Sequence, residues 1–201
     1  MDIQELWFAT GNKGKISEVR LLMEKEFPGI QIRANTDIPS YFAPPENGQT
    51  FLDNARIKAK SLKAMKPGAW VMAEDSGLEV EGLGNLPGIH SARYAGPKAA
   101  DSENVAKLLK MMQIRQVFPR KAKFQCSMVV FTPTGEEWLF TGTMPGEIAK
   151  NVKGQHGFGY DPVFVPDGET QTLAELGLAY KNKHSHRARA VGAFLEKLKT
   201  L

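Results

Sequence analysis

The sequence contains a single cysteine, Cys126, among its 201 residues. One cysteine excludes an intrachain disulfide and a metal cluster built from cysteines. The residues around Cys126 alternate in polarity as in a half-buried strand. We therefore expect a small buried hydrophobic residue there rather than a nucleophile.

Long apolar segments are also missing. No apolar run approaches the roughly 20 residues that a membrane-spanning helix needs, and the first five residues lack the charged and apolar regions of a signal peptide. The sequence therefore predicts a cytoplasmic protein with no membrane partner. Its formal net charge of +4 fits an anionic ligand, but ordinary solubility explains that charge equally well.

The remaining composition is that of a folded chain. The hydrophobic fraction of 42% and the charged fraction of 24% are typical of globular proteins, which argues against disorder. The length suits one ordinary α/β domain, and neither repeats nor linker-like segments divide it. We expect one domain over residues 1–201.

Strand-like and helical patterns alternate along the chain. An apolar run at 6–9 precedes a glycine-containing loop and then apolar residues at helical spacing, and Thr50 is placed to cap a second helix. The strand-like runs 122–131 and 137–144 meet at a turn over 132–135, which predicts an antiparallel hairpin. These patterns predict an α/β fold with a mixed twisted sheet and flanking helices.

Two adjacent acids, Glu74 and Asp75, follow the apolar run 69–73 and precede the turn-forming pair Ser76–Gly77. The pattern predicts a strand that ends in carboxylates at a sheet edge, where a divalent cation could bridge them to a phosphate. Adjacent like charges beside an apolar strand repel each other unless a cation or hydrogen-bond donors offset them. A metal site is therefore one explanation of the pair.

Two further acids are less specific. Glu46 lies in a proline-rich loop and Asp53 in the first turn of the second helix, and acids are common at both kinds of position. Hydrolysis of a phosphoanhydride needs its charge neutralised and a water deprotonated, and carboxylates around Mg²⁺ can serve both needs. Lysines at positions 58, 60, 63 and 66 spread along the same helix and predict a solvated face.

The segment 10–15, TGNKGK, connects the first strand to the first helix. Backbone N–H groups at such a glycine loop can bind a phosphate, and the two lysines add positive charge. The spacing is not that of a Walker A loop. A plain connection between a strand and a helix explains the segment equally well.

Two C-terminal segments could recognise a nucleobase. GFGYDP at 157–162 could present Phe158 for stacking, or could form a tight turn with that ring in the core. In the segment 181–187, Ser185 is a candidate N-cap that places His186 and Arg187 in the first helical turn, where basic residues oppose the helix macrodipole. Binding an anion or a carbonyl-rich base would explain this placement, and a solvated basic turn is the alternative.

Five motifs occur in order along the chain, namely TGNKGK, TFLDNA, AEDSGLEVEGLGNLPGIHSARYAG, GFGYDP and KNKHSHRARA. Together they resemble the non-canonical purine nucleoside triphosphate pyrophosphatases, from about residue 6 to 198. The resemblance implies two lobes around a central active-site cleft, usually in a homodimer. It implies Mg²⁺-dependent hydrolysis of ITP, dITP and XTP to the nucleoside monophosphate and pyrophosphate, which keeps deaminated purines out of nucleic acids.

The resemblance also implies a role for each motif. Asp75 would be the general base and a metal ligand, and Glu46 and Glu74 would complete the metal site. Ser76 would contact the nucleotide, and Phe158 would stack on the base. The other implied contacts are Thr10, Gly11, Asn12, Lys13, Gly14 and Lys15 with the triphosphate, Gly159, Tyr160 and Asp161 as pocket walls, and Lys181, His186 and Arg187 with the base.

Two positions depart from the family pattern. Many members have Asp where this chain has Glu74, and many have Glu where it has Asp53. Each exchange keeps the charge and changes the reach of the side chain by one methylene. We therefore give Asp53 a structural role only.

Selectivity follows from the 6-carbonyl of inosine and xanthine, which is an acceptor where adenine has a donor. Donors such as Lys181, His186 and Arg187 would be left unpaired against adenine, at about 1–3 kcal/mol each. Guanine shares this carbonyl, and the sequence does not show which residue rejects it. The expected partner is a small nucleotide rather than a stable nucleic acid.

Two other functions remain open at this point. One is a pyrophosphatase for modified pyrimidine nucleotides. The presence of both GFGYDP and SHR in the chain argues against this function. The other is a nucleotide- or RNA-binding module without chemistry, which would not need Glu74 and Asp75 beside a glycine loop.

Overall fold

The computed structural model describes residues 3–200. The strands of that part are β1 (Glu5–Phe8), β2 (Gln31–Ala34), β3 (Trp70–Val80), β4 (Leu86–Pro87), β5 (Lys121–Phe131), β6 (Glu137–Ile148) and β7 (Phe164–Pro166). They form one sheet in the order β2-β1-β3-β5-β6-β7, with β4 paired to β3. Strand β1 is parallel to β2 and β3, whereas β3–β4 and β6–β7 are antiparallel, so the predicted mixed sheet is confirmed.

The α-helices are α1 (Lys13–Glu26), α2 (Phe51–Met65), α3 (Asp101–Ile114), α4 (Leu173–His184) and α5 (His186–Leu198). Short 3₁₀ helices occur at Asn35–Asp37, Glu81–Leu83, Gly88–Arg93 and Asp161–Val163. The Thr50 side chain caps α2 by accepting from the Asp53 N–H at 3.1 Å, as the sequence predicts. Between residues 3 and 200, no helix is long and apolar enough to cross a membrane.

The described chain divides into two compact units. The first unit contains the chain up to Asp75, Cys126–Gly142 and the chain from Arg187, and the second contains Ser76–Gln125 and Thr143–His186. Strands β3, β5 and β6 contribute residues to both units. The boundaries of a single domain and the cleft between two lobes remain predictions.

Strand β1 of the first unit is covered on both faces. Leu6 and Phe8 pack in an apolar cluster with residues of α1 and α5, whereas Trp7 and Ala9 pack in a second cluster with residues of α2. Successive side chains of a strand point to opposite faces, which explains this alternation. Because both faces of β1 are covered, its apolar run is continuous rather than alternating with polar residues.

The second unit has its own core. Leu78 and Val80 of β3 pack there with residues of α3, β5 and β6, including Leu108 and Phe124. Tyr160 also belongs to this core and is only 4% exposed. The second unit can therefore hold functional residues on a packed scaffold of its own.

Two predictions of local structure are wrong. Strand β3 continues through Ser76–Gly77 to Val80, so Glu74 and Asp75 lie inside a strand and not at its end before a turn. Gly77 does not have a positive φ, and the next residue, Leu78, is fully buried in the core. Strand β3 also lies between β1 and β5 rather than at a sheet edge.

One helix of the structure was not predicted from the sequence, and one strand begins later than predicted. Helix α4 was not predicted, and at Gly177 its backbone leaves helical geometry with φ +82°. The short apolar segment 162–165, whose pattern predicts a brief strand, contains the end of a 3₁₀ turn, Asp161–Val163, and the start of β7 at Phe164. Both differences lie in segments whose apolar periodicity is short.

Candidate functional site

Glu74 is fully buried in the first unit and is surrounded by cations. Lys15 Nζ lies 2.7 Å and Arg187 Nη2 lies 3.3 Å from its Oε1, while Cys126 Sγ donates to its Oε2 at 3.3 Å. Burial alone would raise the pKa of Glu74, but the charges of Arg187 and Lys15 lower it well below its usual range. Glu74 is therefore held in its ionised form, and Cys126 is the buried residue that the sequence predicts.

Asp75, the next residue of β3, lies in a different electrostatic environment. The Asn54 amide donates to its Oδ2 at 3.2 Å, and Lys58 Nζ lies 3.4 Å from its Oδ1. Burial raises the pKa of Asp75, although the charges of Lys58 and Lys15 act to lower it. A carboxylate with a raised pKa accepts a proton more readily, so Asp75 suits the predicted role of general base.

Lys58 connects Asp75 to Glu46. Its Nζ lies 3.0 Å from Glu46 Oε1, and only 13% of its side chain is exposed. The prediction of a solvated face is therefore wrong for Lys58, because Asn54 and Lys58 are four residues apart on α2 and share the side that contacts Asp75. Burial would lower the pKa of Lys58, but Asp75 and Glu46 raise it.

The sequence assigns Glu46, Glu74 and Asp75 to a metal site. Among residues 3–200, no group of three or more His, Cys, Asp or Glu side chains lies close enough to hold a metal ion. The oxygen donors are nevertheless of the type that Mg²⁺ prefers. The ammonium of Lys58, in contact with both Glu46 and Asp75, also indicates that a cation is accommodated there. The donor set thus fits Mg²⁺ by its chemistry, and the metal role remains a prediction.

The predicted phosphate loop forms the start of α1. Asn12 is the N-cap, and its Oδ1 accepts from the Lys15 N–H at 3.0 Å, while Thr10 Oγ1 accepts from the Asn12 N–H at 3.1 Å. Gly11, Asn12 and Lys13 are exposed. The segment 10–15 therefore presents the positive end of a helix together with the Lys15 ammonium beside Glu74. Contacts of the six predicted residues with a triphosphate stay predictions.

Arg187 is 1% exposed and belongs to the first unit. Its Nη1 lies 2.5 Å from Glu18 Oε2, and its Nη2 lies near Glu74. Burial would lower the pKa of Arg187, but Glu74 and Glu18 raise it. No sequence pattern indicated a role for Glu18, because an acid on a helix is usually a solvated residue. The predicted contact of Arg187 with the base is not tested by these contacts.

In the second unit, Phe158, Asp161 and Lys181 are brought together. Asp161 is 1% exposed, and its Oδ2 accepts from the Phe158 N–H at 2.9 Å and from Lys181 Nζ at 2.5 Å. Lys181 Nζ also lies 4.1 Å from the centroid of the Phe158 ring. Phe158 is half-buried, whereas the next aromatic residue, Tyr160, occupies the core. A partly exposed ring beside a lysine can stack on a base.

The neighbouring predicted residues are held by other contacts within the second unit. The Gly159 N–H donates to Asp101 Oδ2 at 2.7 Å, and the Tyr160 hydroxyl donates to the Ser91 carbonyl at 2.8 Å. His186 is buried and stacks on Phe124 with ring centroids 4.8 Å apart. Ser76 is half-buried in β3. The roles of these residues toward a nucleotide stay predictions.

Three comparisons with known proteins, by family model, by sequence and by structure, match nearly the whole chain to proteins of one family. The Ham1 family model matches residues 6–197. A dITP/XTP pyrophosphatase from Bdellovibrio bacteriovorus is 61% identical over 197 residues, covering 98% of this chain and 98% of that protein, and one from Nautilia profundicola is 42% identical, covering 91% of each. The solved structure of a HAM1 protein from Coxiella burnetii has a TM-score of 0.87 at 33% identity, covering 98% of this chain and 99% of that one.

Proposed function

The chain belongs to the Ham1 family, and on that premise we propose that it hydrolyses dITP, ITP and XTP to the nucleoside monophosphate and pyrophosphate. The family match confirms the resemblance that the five motifs indicate. The relatives named for dITP and XTP favour purine substrates over the modified pyrimidines of the alternative hypothesis.

One observation carries the proposal. Two adjacent carboxylates of β3 lie in the first unit with three cations: Lys15 and Arg187 contact Glu74, and Lys58 contacts Asp75. A binding module has no need of buried, charge-compensated acids, whereas hydrolysis of a triphosphate needs both a proton acceptor and positive charge. The arrangement therefore supports an enzyme rather than a binding protein.

We assign the chemistry as follows. Water adds across the α–β phosphoanhydride bond, its proton passes to an Asp75 oxygen, and pyrophosphate leaves. Asn54 and Lys58 hold the Asp75 carboxylate in place, while Lys15 and the positive N-terminal end of α1 offset the charge of the phosphates. When bound, Mg²⁺ would be held by Glu46, Glu74 and Asp75 and would neutralise further charge on the phosphates.

We assign recognition of the base to the second unit. Phe158 offers a partly exposed ring, and Lys181 supplies a donor beside it. A purine 6-carbonyl would accept a further hydrogen bond from Lys181, whose Nζ also donates to Asp161, whereas the 6-amino group of adenine would accept none. We further propose that the protein works in the cytoplasm as a homodimer.

The test is release of pyrophosphate from dITP, XTP, dGTP and dATP in the presence of Mg²⁺, measured as phosphate after treatment with inorganic pyrophosphatase. We expect turnover of dITP and XTP at least tenfold above that of dATP. Equal rates on dITP and dATP would overturn the proposed selectivity. Binding of dITP without hydrolysis, with or without Mg²⁺, would overturn the enzymatic function itself.

A further inference from the structure

We propose that the segment Ser91–Tyr94 positions Phe158 for binding the base, acting through the Tyr160 hydroxyl and supported by Asp101. The inference rests on the proposed function and assigns a task to a segment that is part of the third motif. It also makes Tyr160 a positioning residue rather than a wall of the base pocket. All of these residues belong to the second unit.

Ser91 is itself firmly held. It is 7% exposed, its Oγ accepts from the Leu78 N–H at 2.9 Å, and the same hydroxyl donates to the Gly88 carbonyl at 2.7 Å. These two bonds attach the segment to strand β3 and to the preceding turn. The Ser91 carbonyl is therefore a fixed acceptor for the Tyr160 hydroxyl.

The far end of the segment is attached to helix α3. Asn104 is 2% exposed, and its side chain accepts from the Ala95 N–H at 2.7 Å and donates to the Ala92 carbonyl at 3.2 Å. Asp101, one turn earlier on the same helix, accepts from the Gly159 N–H. The segment and the helix thus hold the two residues that follow Phe158 from one connected scaffold.

Phe158 depends on such anchors because burial does not fix it. Its ring is half-buried and lies outside the apolar core that contains Tyr160. Gly157 and Gly159 on either side have φ of +81° and +62°, a backbone region open to glycine. Loss of an anchor would let this glycine-flanked loop move, and a stacking ring acts only when it is held parallel to its base.

The test compares Tyr160→Phe, which removes the hydroxyl alone, with the matched control Tyr41→Phe. The Tyr41 hydroxyl is buried and has no hydrogen-bond partner among residues 3–200. Steady-state kinetics with dITP are measured for both variants, together with inhibition by inorganic tripolyphosphate, which has phosphates but no base. For Tyr160→Phe we expect the KM for dITP to rise about threefold to tenfold, with kcat within twofold of wild type.

Inhibition by tripolyphosphate is expected to stay unchanged in Tyr160→Phe, and Tyr41→Phe should match wild type in every measurement. Asp101→Ala, at an exposed position, removes the acceptor of the Gly159 N–H as a second variant and should raise the same KM about twofold. Unchanged KM values in both variants, or equal weakening toward tripolyphosphate, would overturn the positioning role alone. A wild-type protein that does not hydrolyse dITP would overturn the proposed function and, with it, this inference.

Discussion

In the first unit, buried charged side chains hold one another in place, whereas in the second unit hydrogen bonds to a glycine-flanked loop hold a partly exposed ring. Glu74 is surrounded by Lys15, Arg187 and the Cys126 thiol, all contributed by distant parts of the sequence. Phe158 is held by hydrogen bonds of its own backbone and of its neighbours. The two units therefore tolerate change differently.

The difference has an energetic basis. Ionised groups removed from water are costly unless each keeps its partner, so loss of one member of the first cluster leaves another charge buried and uncompensated. A half-exposed ring on a glycine-flanked loop carries no such penalty. We therefore expect changes in the charged cluster of the first unit to affect turnover and folding, and a change of the Phe158 ring itself to affect binding of the base alone.

The largest effect is expected for Asp75→Asn, which keeps the shape of the side chain and removes the proton acceptor. Turnover of dITP should fall about 10²- to 10⁴-fold, because general base catalysis contributes that much. Circular dichroism and thermal melting should show a folded protein. Asp53→Asn, in the first turn of α2, is the matched control and should keep wild-type turnover. Retained activity in Asp75→Asn would remove Asp75 as the base.

Arg187→Met tests the stability of the charged cluster. The Arg187 guanidinium lies 2.5 Å from Glu18 Oε2 and 3.3 Å from Glu74 Oε1, so its removal leaves both buried acids without this cation. We expect a loss of about 3–5 kcal/mol in the free energy of unfolding. The control is Arg56→Met, whose partner Glu137 is partly exposed, with an expected loss of about 0–1 kcal/mol. Urea denaturation measures both, and equal losses would contradict the expectation that a buried charged cluster loses more stability than a partly exposed ion pair.

Lys58→Met tests whether the contact between α2 and Asp75 serves the reaction. Loss of this charged partner should lower kcat for dITP about tenfold to a hundredfold, the range for hydrogen bonds to charged groups. The matched control is Lys60→Met on the exposed side of the same helix, which should leave kcat unchanged. If both variants keep full activity, Lys58 is not part of the catalytic arrangement.

Local patterns predicted the elements of the first unit well. Phe51, Ala55, Ala59 and Leu62 are all buried, as their helical spacing indicates, and Thr50 caps α2. Periodicity needs only neighbours along the chain, and so it can be seen in one sequence. Periodicity predicted which face of α2 packs inward, but it could not predict that Lys58 contacts Glu46 and Asp75.

The errors concern contacts between distant residues. Ser76–Gly77 is a common turn pair, yet β3 continues because Leu78 and Val80 beyond it enter a core built largely from later residues. Glu18 and Arg187 are 169 residues apart, and only the folded chain brings them together. The motifs identified the residues of the candidate site. The cations that offset the charges of Glu74 and Asp75 could be identified only from the tertiary structure.

The smallest effect is expected in the second unit, for Phe158→Leu. Leucine keeps part of the apolar contact, so we expect a loss of about 1 kcal/mol in binding of the base and a roughly fivefold rise in the KM for dITP. The kcat and the free energy of unfolding should remain near wild type, because Phe158 is half-buried and lies outside the apolar core of the second unit. The matched control is Phe42→Leu, an 87% exposed ring in the loop before α2, which should leave KM unchanged. A large loss of kcat or stability in Phe158→Leu would show that the ring supports more than the base, and the contrast between the two units would then fail.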